Sequence, residues 1–182
     1  VGDGQWFPRW LPELTGGYGY PLFVFYQPGF FFLALPFGLI GGSEEFAVTA
    51  AVFLLFMLGG TGAFLLGRSA AGTTMAGAFA AFLFLLTPYH FSNLYVRGDL
   101  SELMATLMTP WPIFGLLHMA RCAREGRSLL GGLLLVAVGW AVVIVSHPIT
   151  GLFFSPVLTV LAIATMLELP KSLRFCFAFE AA

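Results

Sequence analysis

Charge is what this chain has least of: Asp, Glu, Lys and Arg make up 9% of its 182 residues, where a soluble domain of ordinary composition carries roughly a quarter. With 59% hydrophobic residues and a mean hydropathy of +0.91, the composition excludes a soluble domain and is that of a membrane protein. A net charge of -1 supplies no broad basic surface for nucleic acid, whose phosphates demand several lysines or arginines.

Cysteine is almost as scarce. Cys122 and Cys176 stand without CxxC spacing and outside any His/Asp/Glu cluster, which argues against a disulfide scaffold and against a cysteine-based zinc site. There is no GxxxxGK[ST] loop, no strand-flanked GxGxxG and no GxSxG elbow, so nucleotide hydrolysis, dinucleotide binding and serine-hydrolase chemistry lack their usual signals. The glycine-rich Gly16-Gly17-Tyr18-Gly19 fits no phosphate-cradle pattern. Neither an initiating methionine nor a basic leader precedes Val1-Gly2-Asp3-Gly4, and the apolar Phe175-Cys176-Phe177-Ala178-Phe179-Glu180 stops abruptly, so a fragment with further membrane segments beyond both ends is expected.

What is present is a series of apolar runs separated by short polar joints. Residues 1–21 are rich in aromatics, proline and glycine, with Trp6, Trp10, Tyr18 and Tyr20 around Arg9 and Glu13; Trp and Tyr favour the headgroup layer, which makes this an interfacial segment. Residues 23–40 are apolar but broken by Pro28 and Pro36, and the part after Pro28 falls short of the ~20 residues a span needs. A juxtamembrane helix is expected there, started by Pro28 and ended by Gly41-Gly42. Spans are then predicted over 46–66, 70–86, 100–120 (bent by Pro110 and Pro112), 129–145 and 149–167. The expected fold is an all-α polytopic membrane helix bundle of about five spanning helices plus the juxtamembrane helix. Residues 1–45 would form an outer-face loop and 46–182 the transmembrane bundle.

Orientation follows from lysine and arginine, which cytoplasmic loops near span ends concentrate. Threading these spans puts Arg68, Arg121, Arg124, Arg127, Lys171 and Arg174 on one side and Arg9 and Arg97 on the other. The first side is read as cytoplasmic. Arg121, Arg124 and Arg127 are accounted for by topology and anionic lipid, and His118 beside them reads as structural.

On the outer side the stretch Tyr95-Val96-Arg97-Gly98-Asp99-Leu100-Ser101-Glu102 concentrates one cation and two carboxylates between apolar runs. A charge in hydrocarbon costs roughly 2.5 kcal/mol even on the most lenient scale, so these groups belong at a surface or in a wet cavity. Asp99 and Glu102 have the spacing of a capping box at the entrance of the third span, and equally that of acids placed as general base, metal ligand or acceptor contact. Arg97 offers a planar fork suited to phosphate, or a pairing with Asp99. His90 and His147 are polar groups near the same side, candidates for ligand contact or plain helix termini.

Three stretches carry a family resemblance: Phe7-Pro8-Arg9-Trp10-Leu11-Pro12-Glu13-Leu14 running into Gly16-Gly17-Tyr18-Gly19-Tyr20-Pro21-Leu22-Phe23-Val24-Phe25-Tyr26-Gln27-Pro28; Pro88-Tyr89-His90 with Tyr95-Val96-Arg97-Gly98 and Glu102; and Ser146-His147-Pro148. Together they resemble bacterial multi-spanning proteins labelled as pyruvoyl-tetrahydropterin-synthase-related membrane proteins, a label that says little about pterin chemistry. The layout also resembles the GT-C superfamily of lipid-linked-sugar glycosyltransferases. That resemblance implies a GT-C-like bundle in the bacterial inner membrane, moving a sugar from a polyprenyl-phosphate donor to an acceptor hydroxyl on the outer face.

It further implies Glu102 or Asp99 as catalytic acid, with Glu102 favoured because the narrower family often has a small residue where Asp99 stands. Arg97 would hold the phosphate, with His147 or His90 assisting and Arg9 and Tyr95 nearby; Trp6, Trp10 and Tyr18 would stack on sugar faces. The first-loop acid of that pattern is expected upstream of Val1. No metal ligand set is legible, although a divalent ion is compatible with these acids. The rival reading is a non-catalytic subunit that packs against partners in a membrane complex, because a fold persists without its chemistry. A transporter is a third, left open by Pro110 and Pro112 but without clear repeats.

Overall fold

The computed structural model of the chain describes residues 9–169; Asp3, Trp6, Lys171, Arg174 and Cys176 lie outside them. Among the described residues the regular structure is helical, apart from a single antiparallel bridge between Leu11 and Tyr20. The helices are α1 (Leu22–Phe25), α2 (Gly29–Gly41), α3 (Glu44–Ala71), α4 (Thr74–Leu85), α5 (Pro88–Phe91), α6 (Leu100–Met108), α7 (Pro110–Arg124), α8 (Leu130–Ser146) and α9 (Pro148–Glu168), with a π-helical turn at Ser92–Arg97 between α5 and α6.

Local chemistry sets these boundaries. Ser43 caps α3 by accepting from Phe46 N at 3.1 Å, with Glu44 and Glu45 in the first turn, where the helix dipole favours acids. Thr73 caps α4 in the same way through Ala76 N at 3.2 Å. At the far ends Gly42 (φ 70°) and Gly72 (φ 75°) take the left-handed conformation that closes α2 and α3, a conformation a Cβ would penalise.

Among the described residues, four helical stretches are long and apolar enough to cross a membrane: Glu44–Ala71, Thr74–Arg97, Leu100–Arg124 and Pro148–Leu167. The third of these is divided at Pro110 into α6 and α7, which join through Thr109 in helical dihedrals (φ -59°, ψ -29°). α8, predicted as a span of its own, has 17 residues; at ~1.5 Å per residue it reaches about 25 Å, short of the roughly 30 Å hydrocarbon core. Its ends are set by the turns that return the chain to α7 on one side and α9 on the other. α2 is shorter still, with 13 residues, and packs on the bundle instead of standing apart from it.

α3 is the hub, in contact with α2, α4, α6 and α7. One core forms where α2, α3 and α6 meet, from Phe30, Ala34, Ala51, Leu55, Leu103 and Leu107 among others. Elsewhere small residues let backbones approach closely: a Cβ on Gly115 would lie 2.9 Å from Gly132 O, and one on Gly132 would lie 2.9 Å from Gly115 O. This reciprocal contact joins α7 to α8, as expected of helices that have no hydrophobic driving force between them in lipid. At one end of the bundle Arg121 reaches across to Ser69, donating to its carbonyl at 3.2 Å and its hydroxyl at 3.1 Å, so the basic ends of α3 and α7 lie together. The opposite end carries Arg97, Asp99 and His147.

Candidate functional site

The site begins with a break. Thr87 precedes Pro88 and is extended (ψ 122°), as the proline ring requires of its predecessor, and this halts α4 and restarts the chain as α5. From there Tyr89, Asn93 and Arg97 recur at four-residue spacing, which places them on one face. The π-helical turn adjusts that face, and Gly98 (φ 64°) then reverses the chain into α6. Nη1 of Arg97 donates to Asn93 Oδ1 at 2.8 Å and to the Tyr89 hydroxyl at 3.1 Å.

α6 supplies the acids. Oδ1 of Asp99 accepts from Glu102 N at 2.9 Å, so Asp99 is the helix cap. The return half of a capping box is not made: Asp99 N donates to Asn93 O at 2.9 Å instead, and the Glu102 side chain is released to face the arginine. Tyr89 donates its hydroxyl proton to Glu102 Oε1. Oε2 of Glu102 lies 2.6 Å from Arg97 Nη1 as an ionic contact and makes no hydrogen bond. Nη2 of Arg97 stands 3.6 Å from Asp99 Oδ2. Glu102 is 8% exposed, whereas the Arg97 side chain is 44% exposed, so the buried acid is reached from outside past a cation.

Two further elements frame the cluster. Ser101 donates to Gln27 O at 3.2 Å, tying α6 to the turn before α2, and a Cβ on Gly29 would come 3.0 Å from Ser146, so the start of α2 lies against the end of α8. The next residue, His147, caps α9: its Nδ1 lies 2.8 Å from Thr150 Oγ1 and 3.3 Å from Thr150 N. A ring nitrogen of His147 and one carboxylate oxygen each from Asp99 and Glu102 all fall within 4.8 Å of one another. Those three residues can hold a metal ion, a grouping that no spacing in the sequence announces.

Arg97, Asp99, Glu102 and His147 are thus brought together, and Tyr89, Asn93 and Thr150 join them. The remaining predicted residues are placed elsewhere. His90 is buried between the rings of Phe84 and Phe56, at centroid distances of 4.9 and 6.2 Å, with Nδ1 lacking a hydrogen-bond partner. Tyr95 is 78% exposed and turned out of the cluster. Arg9 is exposed; Trp10 lies over Gly19, and Tyr18 is 88% exposed on the same N-terminal turn. Trp6 is outside the described residues. Apolar grooves run along α3 and α4, walled by residues such as Phe56, Phe64, Phe79 and Phe82, and none of the cluster residues lines them.

The chemistry available at the cluster is a half-exposed guanidinium over a buried carboxylate, with a second acid and an imidazole beside it. Nη1 of Arg97 donates to Asn93 and Tyr89 and lies in ionic contact with Glu102, while Nε carries none of these contacts; the fork can take a phosphate oxygen without abandoning Glu102. A family model described as the 6-pyruvoyl-tetrahydropterin synthase related domain, a membrane protein, matches residues 23–182. No curated protein and no solved structure matches the chain.

Proposed function

We propose that this chain, which belongs to the 6-pyruvoyl-tetrahydropterin synthase related family of membrane proteins, is a glycosyltransferase of the GT-C kind in a bacterial inner membrane. It moves a sugar from a polyprenyl-phosphate donor to an acceptor hydroxyl on the outer face. The observation that carries this reading is the pairing of half-exposed Arg97 with buried Glu102 at one end of the bundle, with Asp99 and His147 beside them. The acceptor oxygen bonds to the anomeric carbon as the bond from that carbon to the phosphate oxygen breaks. The acceptor proton passes to a carboxylate, Glu102 or Asp99, and the polyprenyl phosphate departs with the bonding pair. Arg97 neutralises the charge gathering on that phosphate, the group whose stabilisation contributes most where water is excluded.

The outward orientation of this end rests on the basic residues at the other: Arg68, Arg121, Arg124 and Arg127 gather where cytoplasmic loops are expected to be basic. Transfer of labelled sugar by the full-length protein is the test. Arg97→Ala and Glu102→Gln are each expected to lower turnover at least 100-fold, in keeping with the usual contribution of such groups, and unchanged turnover in both removes the assignment.

A second reading has its own support. Tyr89, Asn93, Asp99 and Glu102 already satisfy much of Arg97 without a ligand, as a purely structural cluster in a non-catalytic complex subunit would. Absence of transfer by the wild-type full-length protein, together with stable co-purifying membrane partners, favours that reading.

A further inference from the structure

We propose that Asp99, Glu102 and His147 form a binding site for one divalent metal ion at the junction of α6 with the α8–α9 turn. Their donor atoms lie within 4.8 Å of one another. Ions of this class hold carboxylate oxygen and imidazole nitrogen at roughly 2.0–2.2 Å, so two donors on one ion stand at most about 4.4 Å apart. Three donors sharing one ion cannot all stand more than about 3.8 Å apart, so closing the site takes side-chain shifts of up to about 1 Å, not a rearrangement of helices.

A second observation is independent of that spacing. Glu102 is 8% exposed, and the charge of its buried Oε2 is met by a single group, the Arg97 guanidinium at 2.6 Å. The charges point the same way: with both acids ionised, one arginine faces two carboxylates, and one negative charge is left over beside an apolar bundle. A cation answers it.

The supporting contacts are those a ligand set needs. Asp99 is fixed through Oδ1 as the cap of α6, leaving Oδ2 to the site. Nδ1 of His147 lies 2.8 Å from Thr150 Oγ1, which fixes the ring; ligation through Nε2 takes the tautomer in which Nδ1 donates to that hydroxyl and gives up the cap bond from Thr150 N. Two carboxylates and one imidazole suit a Mn2+-like ion that keeps open positions for water or a phosphate oxygen. Arg97 occupies the counter-ion role in the empty site, so metal and guanidinium compete for the same oxygens.

The site rests on this geometry and does not require sugar transfer. Its test is a Mn2+ titration of the chelator-treated full-length protein in detergent, followed by the electron paramagnetic resonance of free Mn2+, with thermal unfolding of each variant as a control for folding. One ion per chain is expected, weakened at least tenfold in His147→Ala and in Asp99→Asn, and tightened in Arg97→Met. Asp99→Asn keeps the helix cap, so it decides the matter if His147→Ala fails to fold. Wild-type protein that binds no Mn2+ at millimolar concentration, or an Asp99→Asn variant that binds it as wild type does, overturns the site. Sugar transfer that persists in metal-free protein removes the ion alone from the reaction, and a protein that binds Mn2+ yet transfers nothing removes the sugar reading alone.

Discussion

At the scale of single residues, the two acids three positions apart are separated by job. Asp99 holds the first turn of α6 through Glu102 N, and a cap of this kind is worth about 1 kcal/mol. Asp99→Ala is expected to lower stability by roughly 0.5–2 kcal/mol, while Asp99→Asn costs only a few tenths, since Asn caps nearly as well; chemical unfolding of the two variants side by side measures the gap. Equal losses would mean that the charge, not the cap, is what matters. The acid pair and Arg97 were legible because charges are rare in so apolar a chain, and the Tyr89, Asn93, Arg97 spacing was legible in principle as one helical face. What the sequence concealed was which half of the capping box forms, since that depends on Asp99 N finding Asn93 O across a π-helical turn. The approach of His147, and the withdrawal of His90 among aromatic rings, depend on how helices dock.

Among elements, the α7–α8 contact is the most sharply defined. A valine at Gly132 would drive its Cβ into Gly115 O and Met119, and Gly132→Val is expected to cost about 1–3 kcal/mol by overpacking. Gly131, one residue earlier, has His118 Nε2 as its nearest neighbour at 3.8 Å; Gly131→Ala should be neutral or stabilising by up to ~1 kcal/mol from helix propensity. Thermal unfolding in detergent distinguishes them, and similar melting of both variants would contradict the close approach. Helix boundaries were readable from hydrophobic runs and their polar stops: Ser43, Thr73 and Gly42 act where side-chain chemistry says they should. Pro110 and Pro112 lie at the start of α7, where a missing N–H is tolerated, and the helix is divided there into α6 and α7.

For the whole molecule, threading gives the two ends different exposures to the outside of a cell. With Cys122 and Cys176 replaced by alanine, Tyr95→Cys is expected to react with an impermeant maleimide in intact cells, and Glu125→Cys only after permeabilisation; the reverse pattern would invert the orientation. Both positions are exposed, so the reagent's side of entry decides the result. The bundle's architecture was foreseeable from composition and run lengths, but not the convergence of the Gln27 turn, the start of α6 and the α8–α9 corner. That convergence has a practical side. Because the acids and the imidazole belong to different hairpins, any small molecule that lodges between them fastens those hairpins together and raises the heat needed to separate them. A melting screen of sugars, phosphates and metal salts can therefore search for this protein's natural ligand before its reaction is known.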